Sequence, residues 1–177
     1  AAGIALLVRD PEPVAGDTRG SVLDLLRMPA LWAILPLMFV AYAPSAALRG
    51  LWAGPYLRDV FALDTGAVGQ ATLVMGVAMI AGTLTYGPLD RWLGSRKWVI
   101  FGGNLLAALA LVALILWPDR SLGLSVTLLA LIGFAGASFP VIVAHGRAFI
   151  PAHLAGRGVT LLNLFGIGGV GVAQFVS

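Results

Sequence analysis

Trp98–Pro118, WVIFGGNLLAALALVALILWP, holds no charged side chain and a single amide, Asn104. As a helix it is long enough to cross the hydrocarbon core of a bilayer, which takes about 20 apolar residues. A helix in a soluble core has no use for that length. Four more stretches behave alike: Met28–Trp52, Thr65–Leu89, Ser121–Ala144 and Gly158–Ser177 are uncharged apart from Arg49. Backbone groups in lipid must be satisfied internally, which leaves helices or closed barrels. The alternation of barrel strands is absent. The expected fold class is therefore all-α integral membrane, with five transmembrane helices.

Composition agrees. Hydrophobic residues make up 59% of the chain and charged residues 11%, against roughly 25% charged in a soluble domain. The net charge of +3 follows the membrane, as the loops show, and does not point to nucleic acid. With no cysteine there are no disulfides, thiolate ligands or thiol redox chemistry. Gly166, Gly168 and Gly171 spell a dinucleotide-type fingerprint, but that motif needs a preceding strand and a later acidic residue. Here the glycines lie inside a span, so close helix packing explains them. No metal-binding or catalytic constellation is present, and no span holds a carboxylate. The expectation is no enzyme, no cofactor and no metal.

The loops set the orientation. Arg9, Arg19, Arg27, Arg91, Arg96, Lys97, Arg147 and Arg157 fall on one side; Arg58 and Arg120 fall on the other. Cytoplasmic loops are enriched in Lys and Arg, so the richer side is expected to be cytoplasmic. The expected location is the inner (cytoplasmic) membrane, multi-pass. Ala1–Val8 has no basic region before it and does not start with Met, so it reads as the tail of a preceding helix rather than a signal peptide. Together with the abrupt stop at Ser177, this predicts a fragment: residues 1–28 as a helix end and loop, and 29–177 as a partial bundle.

Polar groups inside a membrane are costly and mark functional candidates. Tyr42, Ser45, Arg49, Trp52 and Tyr56 recur at steps of three or four and share an arc of about 80° on an ideal helix. Such a stripe suits the wall of a water-filled cavity, with Arg49 offering a bidentate fork to an anion. The competing reading has Arg49 snorkelling to the outer interface beside Trp52 and Tyr56. Gln70 near the outer end of the second span and Asn163 in the fifth complete the solute-contact candidates. Thr83 and Thr85 are expected to bond back to their own helix. Pro36 and Pro44 should bend the first span, and Gly54-Pro55 should break it. The third span, the most apolar, should face lipid.

Gly87-Pro88-Leu89-Asp90-Arg91-Trp92-Leu93-Gly94-Ser95-Arg96-Lys97 resembles the signature loop of the major facilitator superfamily, in the relaxed form typical of its C-terminal half. Gly50–Val60 and Arg147–Pro151 with Gly156–Gly158 resemble the bacterial nitrate/nitrite or sugar-phosphate-type permeases of that superfamily. The resemblance implies helices 7–11 of twelve, a partial six-helix half whose partner is the missing N-terminal half of the same chain. It further implies a secondary transporter that moves a small polar or anionic solute by alternating access. Asp90, Arg91, Arg96 and Lys97 would then form a gating clasp, with Asp90 favoured near a helix N-terminus. A second reading is a non-transporting membrane sensor or assembly protein on the same scaffold. The partners implied are a small-molecule substrate and the lipid bilayer.

Overall fold

The structure, a computed structural model, describes residues 21–177; the expected helix tail Ala1–Val8 and most of the Arg9–Arg27 loop lie outside them. Five helical segments are long and apolar enough to cross a membrane: Pro29–Phe61, Thr65–Leu93, Arg96–Leu116, Leu122–Arg147 and Ala152–Val176. These are the five expected spans, with shifted ends. No strand occurs among the described residues.

A short helix α1 (Val22–Leu26) precedes the spans and opens on a capping box, in which the Ser21 hydroxyl accepts from Leu23 N–H and Asp24 accepts from Ser21 N–H. The first span comprises α2 (Pro29–Ala41), α3 (Ala43–Ala47), a π turn (Leu48–Trp52) and α4 (Ala53–Phe61). The second is α5 (Thr65–Leu93), capped by Asp64, whose carboxylate accepts from Ala67 N–H at 2.8 Å. It runs four residues past the expected end, so Asp90 and Arg91 are helical. Gly94, at φ +61, then turns the chain in the left-handed conformation that glycine tolerates. The third span is α6 (Arg96–Leu116); the fourth is α7 (Leu122–Gly136) and α8 (Phe139–Arg147), broken before Pro140; the fifth is α9 (Ala155–Val176).

The fourth span is the centre of the bundle. The second and third spans pack on α7, the first meets both of its halves, and the fifth lies on the first. Glycines set these distances. A methyl at Gly82 would meet the Phe134 carbonyl at 2.5 Å, one at Gly133 would meet Met75, and one at Gly169 would run into the Phe39 carbonyl. Small residues that let helices approach closely drive association where lipid removes the hydrophobic incentive. Gly166 also packs, against Phe139, while Gly168 and Gly171 face open space.

The apolar interior falls into two clusters. One, at the basic end, gathers Leu31, Ile34, Met38, Tyr86, Ile142 and Leu162; the other gathers Leu57, Met75, Leu114, Leu129 and Ile132. The third span buries Val99, Gly103, Ala110 and Leu114 along one stripe and exposes Phe101, Leu105, Leu109, Val112 and Leu116 along another. Thr72, Thr83 and Thr85 each donate to a carbonyl four residues back, at 2.7–3.0 Å. Their hydroxyls are thereby satisfied within the helix.

Candidate functional site

Two prolines shape the first span. Pro44 has no N–H for the Val40 carbonyl, and the helix yields at Tyr42. Pro55 has none for Leu51, yet the chain does not break at Gly54-Pro55 as expected. It widens into the π turn Leu48–Trp52, where Ala53 N–H bonds the Leu48 carbonyl five residues back. An extra residue in the turn absorbs the missing donor without ending the helix. Single π turns within α-helices recur at functional sites.

That turn divides the polar stripe. Ser45 is buried against Gly136 of the fourth span, and its hydroxyl donates to the Tyr42 carbonyl at 3.0 Å. The Tyr42 ring packs at a tilt against Phe139, centroids 5.0 Å apart. The Tyr56 hydroxyl bonds the Pro118 carbonyl and the buried Ser125 hydroxyl. Arg49 and Trp52 are exposed instead; Trp52 Nε1 donates to Ser177 at 3.0 Å, and Arg49 makes no hydrogen bond or ion pair among the described residues. Gln70 is exposed and Asn163 half-buried, each without a side-chain hydrogen bond among the described residues. Arg49, Trp52 and Gln70 lie toward the end opposite the basic loops, whereas Asn163 lies near the basic end of α9.

At the basic end a second polar group forms. Arg96, the first residue of α6, places Nε 3.0 Å from Asp90 Oδ2 and Nη1 3.4 Å from the Ala144 carbonyl. One guanidinium thus links the second, third and fourth spans. Asp90 lies in the last turn of α5, where the helix dipole disfavours an anion, rather than at the N-terminus expected of it. Arg96 supplies the compensating charge. Arg91 is exposed, and Lys97 is exposed with Nζ 5.9 Å above the Trp98 ring.

Two contacts had no signal in the sequence. Tyr86, 4% exposed, donates to the Ala135 carbonyl beside the break in the fourth span, and Arg96 reaches Ala144 across 48 residues. Both join different helices, and helical periodicity says nothing of which helices meet. Among the described residues no three His, Asp or Glu side chains gather as a metal site would require.

The Asp90–Arg96 ion pair thus lies at the turn between the second and third of five membrane helices. A family model described as MFS/sugar transport protein matches residues 8–148, most of the chain. No curated protein and no solved structure gives a significant match. The chain belongs to the MFS/sugar transport family and is a membrane transporter of the major facilitator type.

Proposed function

We propose that the chain forms helices 7–11 of a secondary transporter that moves a small polar or anionic solute by alternating access, with Arg49 as its anion contact. One observation carries this reading: an exposed guanidinium without a partner among the described residues sits on a π turn within Met28–Trp52, a stretch with no other charged residue. An unpaired charge in a membrane segment is expensive to keep, and a ligand that pairs with it is the usual reason for keeping it. Trp52 and Tyr42 border it along the same span and supply an aromatic wall. Asn163 and Gln70 are free to turn their amides to a polar solute. The family's description names sugar transport; a sugar bearing a phosphate or carboxylate would use the fork of Arg49, and Asn163 would meet the solute only nearer the basic end of its path. Asp90 and Arg96 would act as the gate, locking one access state through the bond to the fourth span.

The test is uptake into vesicles carrying the full-length protein, over a panel of sugars, sugar phosphates and inorganic anions. Arg49→Lys should weaken uptake of the anionic solute, because a point charge cannot reproduce the planar two-bond fork. Arg49→Gln should weaken it further while insertion holds. A snorkelling arginine predicts the reverse for the first variant, since lysine reaches the interface equally well. Full uptake in both variants would remove Arg49 from the site.

A further inference from the structure

A groove of about 600 Å³ opens between the first and third spans at the basic end, away from Arg49. Its depth is apolar, walled by Ile34 and Leu37 of α2 and Phe101 of α6. Asn104 also lines it, and one of its amide hydrogens goes to the Ile100 carbonyl at 2.9 Å. The basic groups gather at one end: Lys97, the second residue of α6, and His145, in the last turn of α8. From Lys97 to Asn104 is about 10 Å along the helix, so the groove runs from a basic head into an apolar tail.

We propose that this groove seats an anionic glycerophospholipid, with one acyl chain against Leu37 and Phe101 and its phosphate held by Lys97 and His145. Charge complementarity selects the occupant. Among the described residues no carboxylate lines the groove, so none of them receives the ammonium of a zwitterionic headgroup, whereas a phosphodiester pairs with the basic side chains. A helix laid over the groove, from this chain or a second copy, would cover Lys97 and His145 with apolar surface. It would take their water without returning a counter-charge. Basic pockets between membrane helices are the recurrent place where anionic headgroups bind. The Trp98 indole beside Lys97 and the Phe149 ring, 5.2 Å from His145 and edge-on to it, give this end the aromatic character of a membrane interface.

The experiment places the photo-crosslinker p-benzoylphenylalanine at Phe101 of the full-length protein, in vesicles of phosphatidylglycerol or of phosphatidylcholine. Adducts are identified by mass spectrometry after irradiation. The proposal expects a lipid adduct several-fold more abundant in phosphatidylglycerol, reduced several-fold by Lys97→Gln and restored by Lys97→Arg. The comparison of two lipids on the unaltered rim stands even if Lys97→Gln inserts poorly. Adducts to another helix of the same chain or to a second copy would overturn it. So would equal capture of both lipids, or no lipid adduct at all.

Discussion

The bond between Asp90 and Arg96 is modest by energy and central by position. Its partners are partly exposed, with 22% and 42% of their side-chain surface accessible, and exposed ion pairs contribute only about 0.2–1 kcal/mol. Asp90→Asn should therefore leave insertion intact and lower the thermal midpoint of the full-length protein by at most about 2–4 °C. Transport should fall by much more than that loss of stability explains. The neutral amide gives up the charge-assisted bond that fixes Arg96, and Arg96 is what reaches Ala144 on the fourth span. Arg96→Lys should do similar damage, because an ammonium cannot span both acceptors with the geometry of the fork. Uptake by Asp90→Asn equal to that of the parent protein, with unchanged accessibility of the basic end, would reduce this cluster to a positive anchor.

At the scale of the element, the first span shows what a sequence can and cannot convey. Its apolar length was plain, and so were the prolines that disturb it. The form of the disturbance was not. Pro55 removes a donor, and either a break or an extra residue in the turn satisfies that loss locally. Packing decides between them: Tyr56 is tied to Ser125 and Pro118 beyond the turn, and Ser45 is pressed on Gly136 before it. Both anchors must be met by one continuous helix, and the π turn supplies the rotation between them. Ideal periodicity placed five polar residues on one stripe, yet the structure buries Ser45 and exposes Arg49. Pro55→Ala restores the N–H facing Leu51 and permits an ordinary α turn. That change rotates one side of the span against the other by up to about 100°. Insertion should hold or improve, since alanine favours the helix. Uptake should drop, and a cysteine placed at Trp52 should change its reactivity toward aqueous reagents. A variant with parental uptake and reactivity would show that the π turn is imposed by the neighbours and does not depend on Pro55.

Across the whole molecule, the number of spans was legible because the bilayer fixes a length that soluble folds do not need. The pairing of spans was not, because it rests on where glycines admit a neighbour: Gly82 on Phe134, Gly169 on Phe39. Sidedness belongs to the loops, and it yields the last prediction. The turn at Gly94-Ser95 adjoins Arg91, Arg96 and Lys97, whereas Asp119 lies on the connection that holds Arg120. Ser95 makes no side-chain cap bond and Asp119 is exposed, so cysteine at either position disturbs little; Ser121 is the poorer site because its hydroxyl caps Leu124 N–H. In the full-length protein made cysteine-free elsewhere, an impermeant thiol reagent added outside intact cells should label Asp119→Cys and spare Ser95→Cys until the membrane is opened. The third span, uncharged from Trp98 to Pro118, separates the two positions, so a helix that crosses the bilayer cannot present both to one face. Labelling of both from outside would mean that this span does not cross, and labelling of Ser95→Cys alone would invert the orientation that the basic loops imply.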